Sequence, residues 1–208
     1  MERDYQVARF SAIREKWQND LTPANLDNFP WSTPTEYNYR PTTIAKMAIC
    51  DDSLLVYMET SETEIRSEEK GFSNMVFADS CMELFLNPDP GNLPQFLNWE
   101  FNPIGAMYLS IGTSRYDRHD IRLENYRDFF QVKTSMHCGG WNLEFCIPLV
   151  FLHSCFPLLE FEPGHKMRGN FYKCGDKTVR PHFGCWSPIG LPKPDFHCPR
   201  FFGNLILG

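Results

Sequence analysis

The stretch NFYKCGDKTVRPHFGCW, residues 170–186, concentrates side chains that could carry chemistry. The candidate metal ligands in and after it are Cys174, His182, Cys185, His197 and Cys198. Thiol and imidazole groups are typical zinc ligands, but these residues contain no CxxC pair and their intervals match no zinc finger or ribbon. Buried thiols that pack as small apolar side chains are the favoured interpretation.

Acidic side chains on predicted strands could instead serve hydrolysis. Glycoside hydrolysis needs two carboxylates in one cleft, about 5 to 10 Å apart. The candidates are Asp79, Glu83, Glu100 and Glu144. In DSCMELFLN, an alternation of period two puts Glu83 on the face opposite Met82 and Leu84, which form the predicted core face. Glu83 is therefore either solvated or part of a binding surface.

Other catalytic classes find no support in the sequence. It contains no GxSxG elbow and no glycine-rich turn before a helix, and no cysteine lies in a nucleophile signature. The remaining possibility is that the protein binds a ligand through aromatic rings and fixed polar groups. Sugars present C–H faces that rings cover, and hydroxyls that must be paired when they lose water. The candidate rings are Trp186, Phe171, Tyr172, Trp141, Trp99 and Phe77, and the candidate polar groups are Asn170, Lys173, Arg115, Arg122 and Glu83.

Composition narrows the possible partners. The 208 residues suit one domain, and a formal net charge of −6 argues against a nucleic-acid partner. No apolar run approaches the roughly 18 residues of a membrane span, and the start has no export signal. We therefore expect a cytoplasmic protein, or an extracellular or periplasmic one if a signal sequence has been removed. The irregular spacing of the eight cysteines favours reduced thiols.

The elements that must position these residues are mainly strands. Val7, Phe10, Ile13 and Trp17 recur at helical spacing and predict a short N-terminal helix near residues 4–19. Residues 21–41 are rich in proline and predict an extended arm. Beyond them, runs such as TTIAKMAI, SLLVYMET, MELFLN, FLNWEFN, GAMYLSIG, WNLEFCIPL, RGNFYKC and FFGNLILG predict antiparallel strands. The predicted organisation is a helix and arm over residues 1–40 and an all-β antiparallel sandwich over residues 41–208.

Several motifs together resemble one family. The runs FADSCMELFLNPD, NWEFNPIGAMYLSIGTSR, WNLEFCIPL, RGNFYKCGD, PHFGCWSPI and PDFHCPRFFGNLIL occur in the order found in carbohydrate-binding module family 9-like proteins. The resemblance covers about residue 40 to the end and is closest to the stand-alone bacterial branch. It implies a DOMON-type β-sandwich of the immunoglobulin-like jelly-roll kind. It also implies a noncatalytic module, first recognised beside xylanases, in which two rings enclose a terminal sugar.

The resemblance also implies binding residues. The family has a binding tryptophan in a loop late in the chain, and it corresponds here to Trp186, in the Gly- and Pro-rich segment FGCWSPIGLPKP. The acidic residue of the family's D-S-x-x-E run corresponds to Glu83. The second ring falls near Phe77, where the family has tryptophan, so the indole N–H and some ring area are lost. Arg115 is the candidate for an expected arginine, although Glu100 could occupy its place.

The motif GNFYKCGD belongs to the stand-alone branch. We expect Asn170, Tyr172 and Lys173 to lie on a strand whose alternate side chains face the binding cleft, with Trp186 above it. Characterised members of the family hold structural calcium, for which Asp51 with Asp52 and Asp117 with Asp120 are candidates. Exposed turn carboxylates are the alternative interpretation of these pairs.

Three functions stay open at this point. The first is a carbohydrate-binding module for xylan or another plant polysaccharide, working beside glycoside hydrolases, with an oligosaccharide or polysaccharide as its partner. The second is a glycoside-acting enzyme that uses Glu83 with Glu144 or Glu100. The third is an interaction module that has lost sugar binding.

Overall fold

The computed structural model describes residues 3–12, 15–32 and 37–208. Within them the strands are β1 (Asp4–Phe10), β2 (Ala24–Asn25), β3 (Thr43–Cys50), β4 (Ser53–Thr60), β5 (Cys81–Asn87), β6 (Phe96–Phe101), β7 (Met107–Gly112), β8 (Arg118–Asp120), β9 (Lys133–His137), β10 (Gly140–Pro148), β11 (Lys166–Cys174), β12 (Phe183–Cys185) and β13 (Gly203–Leu207). The helices are α1 (Tyr126–Phe129) and α2 (Leu149–Cys155). Short 3-10 turns occur at Trp17–Asp20, Val76–Ala78 and Pro199–Phe201.

The predicted all-β sandwich is confirmed. Each of the eight runs with a period of two forms a strand, because its alternating apolar residues bury one face of a sheet. Most neighbouring strands pair in antiparallel orientation, including β3 with β4, β5 with β6 and β6 with β7. The tight turn between β3 and β4 holds Asp51 at φ 48, a left-handed conformation that aspartate tolerates better than most residues.

The strands form one sheet that curls into two layers joined by β1. The order is β8-β7-β6-β5-β11-β13-β1-β3-β4-β10-β9, and β12 and β2 pair with β11 and β3. Residues 4–7 of β1 run parallel to β13, whereas residues 8–10 run parallel to β3. One strand therefore belongs to both layers. Among the pairs of named strands in the described residues, its two parallel pairings are the exception, and the other pairs are antiparallel.

The predicted helix near residues 4–19 is wrong over the first part of its range, where the chain forms β1. Tyr5 and Val7 point into the core with a period of two, and Phe10 packs edge-on against Trp17 at 6.5 Å between ring centroids. The helical spacing was therefore coincidental. Backbone pairing with two strands outweighs a weak local helix preference. Ile13 lies outside the described residues.

The first layer, from β8 to β13, is buried on both faces. Its inner face contributes Met82, Leu84 and Trp99 to the core between the layers, as the alternation in β5 predicted. Its outer face carries a second apolar cluster that includes Phe85 and Tyr172. Segments 28–32 and 183–202 cover this outer face. The site described below lies between that cover and strands β5, β6 and β11.

The predicted boundary at residue 40 stays a prediction. Strands β1 and β2 both precede it, and both pair with strands that follow it. None of the described helices is long and apolar enough to cross a membrane.

Candidate functional site

A pocket opens on the outer face of the first layer. Its lining residues are Phe77, Glu83, Glu100, Arg115, Arg118, Cys174, Asp176, Phe183, Pro194, Asp195, Phe196 and His197. The floor comes from β5, β6 and β11, and the walls come from the 3-10 turn at residues 76–78 and from segments 113–118 and 183–197. Three residues predicted to bind ligand, Phe77, Glu83 and Arg115, meet in this pocket.

Strand register explains why two carboxyl groups share the floor. Glu83 of β5 lies directly opposite Glu100 of β6, so both side chains project from the same face. Each is only 3% exposed. The Cys174 thiol donates to Glu83 Oε1 at 2.9 Å, and Asn98 Nδ2 donates to Glu100 Oε1 at 2.9 Å.

Burial is the main cause of the raised pKa values of Glu83 and Glu100. It raises the pKa of Glu83 to about 7, against the opposing effect of the Cys174 hydrogen bond. Burial and then the charge of Glu83 raise the pKa of Glu100 well above its ordinary value. Glu100 Oε2 is buried without a hydrogen-bond partner among the described residues. A pair of this kind can accept hydrogen bonds from a ligand, and its members hold protons at higher pH than solvated glutamates.

The charged wall of the pocket comes from the residues around His197. Arg118 Nη1 lies 2.9 Å from His197 Nε2, and Arg115 Nε donates to Asp195 Oδ1 at 3.3 Å. Burial and then the charges of Arg118 and Arg115 lower the pKa of His197 to about 3. Because a guanidinium only donates, Nε2 accepts and the proton of the neutral ring is assigned to Nδ1. That Nδ1 is buried without a partner in the described structure.

Two half-buried rings flank the polar floor. Phe77 lies in the 3-10 turn before β5, and its carbonyl accepts the Asp176 N–H at 3.2 Å. Phe183 of β12 packs edge-on against Trp31 and Tyr37. Burial raises the pKa of Asp176 to about 6, and the charge of Arg115 opposes this rise. The pocket thus combines flat apolar surfaces with both donors and acceptors.

Trp186, predicted as a clamp ring, lies elsewhere. Its side chain is 3% exposed and packs edge-on against Tyr5 and Phe171 at 6.3 and 6.0 Å. A Cβ on Gly203 would lie 2.5 Å from the indole Cζ3, so this glycine makes room for the ring. Trp186 borders a separate groove lined by residues 3–6, 8 and 20–25. The predicted contact between Trp186 and sugar stays a prediction. The burial of its ring does not favour that contact.

Asn170 and Tyr172 of β11 are fully buried and bonded within the protein. Asn170 donates to the Ser187 carbonyl at 2.9 Å, and its Oδ1 accepts the Ser187 N–H at 2.8 Å. The Tyr172 ring stacks on Phe196 at 4.1 Å, and its hydroxyl donates to the Phe196 carbonyl at 3.2 Å. Both residues hold the covering segments in place, and their ligand contacts stay untested.

Lys173 belongs to a buried ion pair. Its ammonium lies 3.0 Å from Glu62 Oε2, and it donates to His182 Nε2 and to the Cys174 carbonyl, each at 2.8 Å. Trp141 Nε1 donates to the same Glu62 oxygen at 3.4 Å. Burial, followed by the charge of Lys173, lowers the pKa of His182 to about 2, so this imidazole is neutral. The network ties β11 to the segment after β4.

Two candidate carboxylates have other partners. Asp79 is buried and accepts hydrogen bonds from Arg66, from the Glu69 N–H and from Asn102 Nδ2. Glu144 of β10 lies in the other layer, 3.8 Å from Lys133 Nζ. Of the proposed acid pairs, only Glu83 with Glu100 shares the pocket.

Phe183 and Arg118 of the pocket escaped prediction, and His197 was named only as a candidate metal ligand. Glu100 had a usable signal, because the alternation in FLNWEF places Phe96, Asn98 and Glu100 on one face of a central strand. Phe183 and His197 lie in covering segments, whose position depends on the folded outer face. No local pattern marks them.

The calcium candidates form turn contacts. Thr113 donates to Asp117 at 2.7 Å, and Asp120 accepts from Tyr108 at 2.8 Å and from Arg122 at 3.2 Å. Asp51 and Asp52 are exposed in the turn between β3 and β4. These contacts use carboxylate oxygens that calcium would need, and an arginine beside Asp120 disfavours a cation there. Structural calcium stays a prediction.

Comparison with known proteins identifies the family. A match to carbohydrate-binding family 9 covers residues 16–207, so the chain belongs to this family. A "putative carbohydrate-binding protein" from Bacteroides uniformis has a similar structure, with 27% identity, a TM-score of 0.84 and 100% of each chain covered. The comparison with curated proteins finds no match.

Two solved structures of a family 9 module from Caldicellulosiruptor kristjanssonii share the fold. The glucose complex has 14% identity and a TM-score of 0.66 over 99% of this chain and 96% of that one. The cellotriose complex has 14% identity and a TM-score of 0.67 over 99% and 93%.

Proposed function

We propose that this protein is a noncatalytic carbohydrate-binding module and that the pocket between Phe77 and Phe183 holds the sugar. The observation that carries the proposal is that two residues lining this pocket each have a buried atom with no hydrogen-bond partner among the described residues, Glu100 Oε2 and His197 Nδ1. An unpaired buried acceptor and donor each carry a desolvation cost that a ligand hydroxyl would remove. A sugar hydroxyl can both donate and accept, so it suits such a pair.

Each part of the pocket has a role in this proposal. The rings of Phe77 and Phe183 cover the C–H faces of a sugar ring. Glu83 and Glu100 accept hydrogen bonds from hydroxyl groups, and Arg115 and the neutral His197 donate them. The hydrogen bonds that involve an ionised partner are the stronger ones.

Family membership and the sugar-bound relatives support this class of ligand. The related module binds glucose and cellotriose, so gluco-oligosaccharides are the first candidates. Xylan or another plant polysaccharide is the wider class that we propose, with a role in glycan utilisation beside glycoside hydrolases. Phenylalanine at position 77 offers less ring area than the family's tryptophan, which favours weak binding of short ligands.

A thermal-shift screen tests the proposal. The protein is melted with glucose and with cello-, xylo-, manno- and pectic oligosaccharides, in the presence of a chelator. A ligand that binds only the folded state at 100 times its Kd should add about 2.7 kcal/mol of stability. We expect at least one sugar to raise the melting temperature in a saturable way.

Variants locate the site. Phe77→Ala should weaken binding by about tenfold, because an aromatic contact contributes up to about 1.4 kcal/mol beyond its buried area. The control is Phe129→Ala, which removes a partly exposed ring that does not line the pocket. If no sugar shifts the melting temperature, the proposal fails and an interaction module becomes the better account.

Glycoside hydrolysis is a second candidate because Glu83 and Glu100 oppose each other in one pocket. Residues directly opposite on neighbouring strands have Cβ atoms about 4.5 to 5.5 Å apart, and retaining glycosidases hold their carboxyl groups about 5 to 5.5 Å apart. Release of nitrophenol from nitrophenyl glycosides tests this function. Turnover that Glu100→Gln abolishes would favour the enzyme, whereas saturable binding without turnover would favour the module.

A further inference from the structure

A cluster of two thiols and one carboxylate includes two residues that line the pocket, Cys174 and Glu83, and the fully buried Cys81. Cys81 Sγ, Cys174 Sγ and a Glu83 carboxylate oxygen all lie within 4.8 Å of one another. The three residues are 0%, 2% and 3% exposed. Sugar recognition gives the thiols no role, so the cluster needs a separate account.

The strand register brings the three groups together. Cys174 of β11 lies directly opposite Cys81 of β5. Glu83 follows Cys81 by two residues, so its side chain leaves β5 on the same face. The Cys174 thiol already donates to Glu83 Oε1 at 2.9 Å. All three ligand atoms come from neighbouring positions on rigid strands. No loop has to move to bring them together.

The chemistry of these groups selects a class of cation. Hard cations such as calcium prefer oxygen ligands, whereas thiolate ligands select zinc and other soft ions. Zinc binds cysteine sulfur at about 2.3 Å and carboxylate oxygen at about 2.1 Å, so tetrahedral ligands lie within about 4 Å of one another. We propose that Cys81, Cys174 and Glu83 bind a divalent cation of the zinc class at the floor of this pocket.

The fourth coordination position would face the pocket. Glu83 and Cys174 line it, and Glu100 lies opposite Glu83 with its Oε2 buried and unpartnered within the described residues. An exchangeable water in the pocket would complete a tetrahedral site. Three protein ligands with one open position are typical of zinc sites that bind or activate a ligand. Two thiolates and a carboxylate also carry three negative charges, which a divalent ion largely offsets.

The first test uses cobalt as a spectroscopic probe for zinc. The metal-free protein is kept reduced with a phosphine, since cysteines directly opposite on antiparallel strands also lie within disulfide distance. We expect one equivalent of Co²⁺ to produce thiolate-to-cobalt charge-transfer absorption, and one equivalent of Zn²⁺ to abolish it. If the wild-type protein gives no charge-transfer absorption at stoichiometric cobalt, the proposal is overturned.

Variants assign the ligands. Cys81→Ser and Cys174→Ser should each lose the charge-transfer bands. Glu83→Gln removes a direct ligand and should weaken metal affinity by at least the roughly 10- to 100-fold that the loss of an outer-shell partner costs. The controls are Cys185→Ser, a buried cysteine of β12, and Cys138→Ser, an exposed one. Circular dichroism checks that each variant folds.

The outcomes separate this proposal from sugar binding. Bands that survive in folded Cys174→Ser, or that disappear in Cys138→Ser, would contradict a pocket site. The sugar screen is run with a chelator and the cobalt titration without sugar. The test of metal binding can therefore fail while sugar binding is still observed, and the reverse is also possible.

Discussion

At the scale of single residues, Glu83 and Glu100 are unusual because two buried carboxyl groups share one small space. A carboxyl group with a raised folded pKa stabilises the protein below its ordinary pKa, and this contribution is lost as the pH rises through the folded value. For Glu83 that window runs from 4.5 to about 7. The charge of Glu83 is also among the causes that raise the pKa of Glu100. Ionising both groups should therefore be unfavourable.

Glu100→Gln should remove much of this pH dependence. The amide cannot ionise, and Glu83 loses a like-charged neighbour. We expect the stability of the variant relative to wild type to increase from about pH 5 to about pH 8, measured by urea unfolding with a chelator present. Glu144→Gln, which changes a carboxylate paired with Lys133 in the other layer, is the control. Parallel pH profiles for wild type and Glu100→Gln would contradict a coupled pair.

At the scale of elements, the ion pair of Lys173 with Glu62 fixes β11 against the segment after β4. Both side chains are buried, at 0% and 1% exposed. Removing one partner of a buried pair leaves an uncompensated charge, which costs more than the pair itself contributes. Lys173, which was expected at the sugar cleft, instead contacts protein groups.

Lys173→Met should destabilise the fold by about 3 to 5 kcal/mol, because it leaves Glu62 buried and unpaired. The double variant Lys173→Met with Glu62→Gln should recover much of that loss. Urea unfolding of the wild-type, single-variant and double-variant proteins measures both effects. A loss of sugar affinity in Lys173→Met at unchanged stability would instead indicate a ligand contact.

The elements also show what sequence can predict. Period-two runs identified eight strands and both faces of β5, because burial on a sheet imposes that alternation. β1 was missed because its burial comes from pairing with β13 and β3, which are distant in sequence. Trp186 lies in a Gly- and Pro-rich segment that suggested exposure. Its burial depends on Gly203 in β13, which no local pattern reveals.

In the molecule as a whole, β1 is the one described strand that is shared by the two layers. Val7 is fully buried in the core between them, whereas the adjacent Gln6 is exposed. The outer face of the first layer, by contrast, is covered by segments 28–32 and 183–202. Three residues of the site, Phe77, Glu83 and Arg115, were predicted from the sequence. The positions of Phe183, Phe196 and His197 depend on how these covering segments fold onto the sheet.

Val7→Ala should lower the free energy of unfolding by about 2 to 4 kcal/mol, because it creates a cavity where the layers join. Gln6→Ala, one residue away on the exposed side of β1, should change stability by less than about 0.5 kcal/mol. Thermal and urea unfolding of both variants measures the difference. Equal effects at the two positions would contradict the alternation that places β1 in the sheet.

Titration calorimetry of two variants distinguishes the pocket from the surroundings of Trp186 as the place where sugar binds. Phe183→Ala removes a pocket ring, whereas Trp186→Phe keeps an apolar ring in the core. With the best sugar from the screen, we expect Phe183→Ala to weaken binding by about tenfold and Trp186→Phe to keep the wild-type Kd. Wild-type affinity in Phe183→Ala together with lost binding in a folded Trp186→Phe would contradict the account and move the sugar to the tryptophan.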